Sequence, residues 1–200
     1  MNSPHKPITQ SENSVSLQFG SHRADEYKKS KGFTRDALSQ LLRQNPLEIP
    51  IKQNSREVPS LEKSFGNISI SHCKDAFILG WHFEEIGVDI ERYDRKFNYL
   101  GIQKKFSMDH NQSHTSNQPM SRESTLIHWS SIESAIKWQK GSIAQDLSNW
   151  ILNKEEQYAI NHIANLKVKI INMEFRDWII SIAIKFSDQI KEPIICSNIL

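Results

Sequence analysis

Asp89 and Glu91 stand two residues apart in the run Ile86-Gly87-Val88-Asp89-Ile90-Glu91. The run reads as a strand, so both carboxylates leave one face while Val88 and Ile90 leave the other. Two carboxylates about 6 Å apart repel by roughly 3 kcal/mol at an effective dielectric of about 20. A divalent cation would remove that repulsion. Mg²⁺ suits such a pair, because it binds through few carboxylates and fills its shell with water and substrate phosphate. The plainer alternative has both acids solvated and answered by Arg92, Arg95 or Lys96.

A second set lies in Trp129-Ser130-Ser131-Ile132-Glu133-Ser134-Ala135-Ile136-Lys137. Trp129, Glu133 and Lys137 recur every four residues and share one helical face. This spacing also describes an ordinary surface Glu–Lys pair over a packed tryptophan, worth a few tenths of a kcal/mol. The third set is Ser71-His72, at the end of an alternating strand, Asn67-Ile68-Ser69-Ile70-Ser71. A histidine there serves either as a ligand to an anion or as a hydrogen-bonded structural residue.

The surrounding composition is that of a globular chain. Its 200 residues are 38% hydrophobic and 24% charged, and 25 basic against 23 acidic residues leave a net charge of +2. That balance lacks the footprint of a dedicated nucleic-acid binder. Apolar runs such as Ala76–Leu79 and Trp178–Ile180 fall far short of the roughly 18 residues that span a bilayer. The segment Met1–Pro7 has no apolar core and reads as something other than a signal peptide. Cys73 and Cys196 match no metal or redox spacing, so reduced thiols in a cytoplasmic protein are expected, with a Cys73–Cys196 disulfide as the alternative.

The elements that must hold these residues follow from periodicity. Residues 1–30 are polar and read as a flexible segment. Phe33, Ala37, Leu38, Leu41 and Leu42 mark a helix over about 33–44, with Thr34 as a possible cap and Asn45-Pro46 as its stop. Strands are expected at Asn67–Ser71, Ala76–His82 and Ile86–Glu91, and a helix at about 93–106. A polar loop over about 107–123 precedes a helix capped by Ser130 or Ser131. Asn153 would cap another helix over about 154–164, and Leu166–Ile171 and Trp178–Lys185 read as closing strands. The pattern is α+β, in two similar halves over residues 31–84 and 85–200.

Taken in chain order, the three sets resemble the 4′-phosphopantetheinyl transferase superfamily, in its longer Sfp-type branch. That family carries a strand ending in Ser-His, then Gly-(Ile/Val)-Asp-x-Glu, then Trp-x-x-Lys-Glu-x-x-x-Lys. The likeness covers roughly residues 33–185, and Ile102–Ser107 and Lys140–Ile143 match the family's flanking segments. It implies a pseudo-dimer of two α+β halves with coenzyme A in the cleft between them. It also implies transfer of the phosphopantetheine arm of coenzyme A to a serine of an apo acyl carrier protein or peptidyl carrier protein, releasing adenosine 3′,5′-bisphosphate.

On the same resemblance, Asp89, Glu91 and Glu133 would hold Mg²⁺, and Glu133 would help deprotonate the incoming serine. Lys137 would contact the diphosphate, Ser71 and His72 the nucleotide phosphates, and Arg35 the 3′-phosphate, with Lys28, Lys29 or Lys31 assisting. Trp129 would buttress the metal helix. An internal pseudo-dimer makes a monomer the default. Three positions depart from the pattern. Ile132 replaces the lysine before the metal-binding glutamate, Cys73 follows Ser-His where a small hydroxyl residue is usual, and Ser55–Pro59 replaces a Gly-Lys-Pro segment, leaving Arg56 as the nearest cation. The alternative function is therefore a catalytically degenerate member that binds coenzyme A or a carrier protein without transfer. An unrelated α+β adaptor, in which every motif is a structural pair, is the third reading.

Overall fold

The computed structural model describes residues 15–20, 27–52, 59–108, 120–155, 157–187 and 194–197. The fold is mixed α+β, with a four-stranded and a five-stranded sheet and four helices among the described residues. The chain divides into two compact units, one formed by residues 1–86 with 188–200 and the other by residues 87–187.

In the first unit, β1 (Ser16–Gly20) is followed by α1 (Tyr27–Leu42) and the hairpin β2 (Asn67–Cys73) and β3 (Ala76–His82), with β9 (Ile194–Ser197) returning from the far end of the chain. The strand order is β2-β3-β1-β9. Val15 and Leu17 are fully buried, so the segment expected to be flexible contains a strand paired on both sides. Its signal was the alternation Val15, Leu17, Phe19 inside an otherwise polar stretch. Helix α1 begins a turn and a half before its expected start, and Thr34 is buried within it rather than capping it. Ala37, Leu38 and Leu42 pack with Ile68, Phe77, Leu79 and Trp81 to make this unit's core. Cys73 and Cys196 fall on β2 and β9, the opposite edges of the sheet. Three strand spacings separate them by about 14 Å, beyond the roughly 7 Å a disulfide spans.

In the second unit, β4 (Ile86–Arg92) leads to α2 (Tyr99–Met108), α3 (Arg122–Trp138) and α4 (Ile143–Asp146), then to β5 (Trp150–Asn153), β6 (Tyr158–Asn161), β7 (Leu166–Phe175) and β8 (Trp178–Lys185). The sheet order is β4-β8-β7-β6-β5. Three helix assignments change here. Ser121, not Ser130 or Ser131, caps α3 by accepting a hydrogen bond from the Ser124 amide at 3.0 Å, because Thr125 and Leu126 extend the buried stripe towards the N-terminus. The helix expected over 154–164 is a hairpin instead. Trp150, Ala159 and Asn161 are buried with strand alternation, and Gln157 adopts a positive φ of 54° in the turn. The helix expected from residue 93 begins at Tyr99, where Asn98 Oδ1 accepts from the Gly101 amide.

Each unit contains a strand, a helix and a hairpin whose second strand lies beside the first: β1, α1, β2 and β3 in one, β4, α3, β7 and β8 in the other. Among the described residues no helix is long and apolar enough to cross a membrane. The segments holding Ser55, Arg56 and the 109–119 loop lie outside the described residues, as do the side chains of Lys28, Lys29 and Lys31.

Ile132 sits in the core of the second unit with Ala135, Ile136, Trp150 and Val168 and is 0% exposed. A lysine there would place an ammonium among apolar groups. Ile132→Lys is expected to lower stability by about 3 kcal/mol or more. Urea unfolding of both forms checks this, and a loss under about 1 kcal/mol would contradict the placement of Ile132.

Candidate metal centre

Gly87, Asp89 and Glu91 share one face of β4, and that face lies against α3. A Cβ on Gly87 would come 1.9 Å from the Ser134 carbonyl oxygen and 2.5 Å from the Trp138 amide nitrogen. Only glycine lets the two main chains approach this closely. The approach brings Asp89 and Glu91 beneath the helix face that carries Glu133 and Lys137. Asp89 is 2% exposed and Glu91 5%, so the solvated reading of this pair does not hold.

Asp89, Glu91 and Glu133 each offer a carboxylate oxygen within 4.8 Å of the other two. Two cations answer the concentrated charge. Lys137 Nζ donates to Asp89 Oδ1 at 2.7 Å, and the Arg95 guanidinium is ion-paired with Glu91 through Nη1 and Oε1. Burial pushes the Glu133 carboxyl up from 4.5 to about 7, reinforced by the Asp89 charge and opposed by Lys137 and Arg95. The Trp129 indole N–H pulls weakly downward, although it meets no strict hydrogen-bond geometry.

The donor set suits a hard dication. All three ligands are carboxylate oxygens, the preference of Mg²⁺ over softer metals. The three oxygens lie close enough together for one ion to be shared among them.

The residues assigned to nucleotide binding belong to the first unit. On β2, Ser71 is buried and His72 exposed, so they occupy opposite faces of the strand. Arg35 donates from Nη1 to the carbonyls of Pro46 at 2.9 Å and Ile49 at 3.3 Å, stapling the turn after α1. Any contact of Arg35 with an anion must use its remaining N–H groups. In the flanking segment, Phe106 turns inward to stack on His128 at 4.1 Å while Lys104 and Lys105 are exposed. The structure thus brings together Asp89, Glu91, Glu133 and Lys137 from the expected set. Sequence reasoning had named Arg95 only as a surface partner; its signal was the i,i+4 spacing from Glu91. The role of Gly87 had no local signal. No protein-family model matches the chain, and no curated protein is similar enough to stand as a relative.

Gly87→Ala is expected to push α3 from β4 and lower stability by about 2 kcal/mol or more, measured by urea unfolding. The Glu133 titration has a sign that can be checked without metal. A carboxyl whose folded pKa is raised favours folding while protonated, so its contribution is full below pH 4.5 and is lost as pH rises through about 7. In EDTA, Glu133→Gln should therefore be more stable than the parent at pH 8, by on the order of 2 kcal/mol, with the gap closing at pH 5. Parallel stability curves at the two pH values would refute the shift.

Proposed function

We propose that the protein is a Mg²⁺-dependent 4′-phosphopantetheinyl transferase of the cytoplasm, acting as a monomer on an apo acyl or peptidyl carrier protein. The observation that carries the reading is the meeting of Asp89, Glu91 and Glu133, from separate motifs, within 4.8 Å beside Lys137. The repeated strand–helix–hairpin order of the two units supports an internal pseudo-dimer, the architecture that goes with this chemistry.

In this reading Asp89, Glu91 and Glu133 hold Mg²⁺, and Ser71, His72 and Arg35 bind the nucleotide phosphates of coenzyme A. An ion held by these three carboxylates would supply charge neutralisation at the diphosphate. Lys137, a compact point charge on α3 beside Asp89, contacts the diphosphate oxygens. The carrier serine oxygen attacks the phosphorus that bears the pantetheine arm, and the bond to the adenosine 3′,5′-bisphosphate oxygen breaks. Glu133, beside the bound ion, helps deprotonate the serine. Positioning and charge neutralisation supply most of the rate, as in phosphoryl transfer generally.

The test is intact-mass spectrometry of an apo acyl carrier protein incubated with the protein, coenzyme A and Mg²⁺. The expected result is a mass gain of one phosphopantetheine arm, absent in EDTA and reduced at least about a hundredfold in rate by Asp89→Ala. Binding of coenzyme A without any mass gain, across acyl and peptidyl carriers, would replace this reading with the non-catalytic one. Full activity of Asp89→Ala would refute the metal site.

A further inference from the structure

We infer that Arg95 is the resident counter-ion of the metal centre, holding Glu91 in the metal-free protein and giving way when a divalent cation enters. The inference rests on the metal site proposed above. The Glu91 side chain is only 6% exposed and is paired with Arg95, four residues on in the turn after β4. A carboxylate so buried needs a cation to remain charged. Lys137 performs the same service for Asp89, but the two cations differ in how they are held.

Lys137 is 27% exposed and rises from the helix whose backbone abuts β4. The Arg95 side chain is 44% exposed and has a route to solvent. Its main chain is fixed separately: the Arg95 amide donates to Arg92 O at 3.0 Å, and Arg122 Nη2 donates to the Arg95 carbonyl. Arg122 itself lies over the Phe97 ring, 5.9 Å from its centroid. Release of the guanidinium therefore needs side-chain rotation and no movement of the turn.

Charge decides the direction. With Glu133 ionised, as metal ligation requires, three carboxylates and two cations sum to −1, and a dication would bring the cluster to +1. A guanidinium keeps its charge at any working pH, so it cannot relieve the crowding by losing a proton. Moving Arg95 into water returns the cluster to zero, and it frees the Glu91 oxygen that Arg95 had occupied. Arg95 thus competes with the metal while stabilising the metal-free site.

The experiment uses the full chain with Mn²⁺ alone as the probe, its affinity read by electron paramagnetic resonance. Arg95→Gln keeps the stem and removes the charge, and is expected to bind Mn²⁺ about tenfold more tightly than the parent. Arg95→Lys should bind like the parent. In EDTA, Arg95→Gln should melt lower than the parent, and its metal-induced rise in Tm should be larger. In the parent itself, the Arg95 Nε–Hε resonance should move towards the free-arginine position as Mg²⁺ is added, a readout independent of any variant's folding. Unchanged or weaker Mn²⁺ binding by Arg95→Gln, or an unmoved Arg95 resonance while the parent binds metal, would overturn the counter-ion role and leave the metal site standing. Failure of both the parent and Arg95→Gln to bind Mn²⁺ would overturn both.

Discussion

The close contact between the Gly87 backbone and α3 is the constraint on which the rest of the second unit depends. With no Cβ at residue 87, the main chain of β4 can lie almost against the Ser134 carbonyl. Every side chain on that face of β4 is then forced towards the helix. Asp89 and Glu91 follow Gly87 at strand spacing, and Glu133 and Lys137 bracket Ser134 on the helix. A bulkier residue at 87 would separate the two elements and let water screen the acids. Backbone proximity thus turns two unremarkable sequence spacings into one electrostatic unit.

That unit concentrates three carboxylates in a buried setting. Burial strengthens every interaction within it, repulsive and attractive alike, because the effective dielectric is lower than in water. The protein answers with Lys137 on Asp89, Arg95 on Glu91, and a raised proton affinity at Glu133. The three responses differ in kind: a fixed cation, a partly exposed cation, and a proton. A dication could take over from the last two while leaving the first in place.

The first unit is organised around a sheet of different topology. Its sheet runs through β1, which pairs with β3 on one side and with β9 on the other, so both ends of the chain contribute to one element. Arg35 is spent in part on fastening the turn after α1. The Ser71-His72 pair straddles a strand, one side chain buried and the other exposed, which divides any phosphate contacts between the two faces.

The hairpin Asn67–His82, the strand bearing Asp89 and Glu91 and the helix bearing Glu133 and Lys137 were legible locally, because side-chain period alone distinguishes strand from helix. The short strands β1, β5 and β6 were not, since four or five residues carry too little periodicity to outweigh polar neighbours and a plausible helix cap at Asn153. Residue types and spacing determined that three carboxylates and a lysine were available on two regular elements. Whether they were solvated pairs or a cluster was decided only by tertiary structure. Burial, the pairing of Lys137 with Asp89 and the convergence of the three carboxylates all arise from how closely β4 and α3 pack. That distance depends on a missing side chain at Gly87, whose consequence appears only when the opposing backbone is in place.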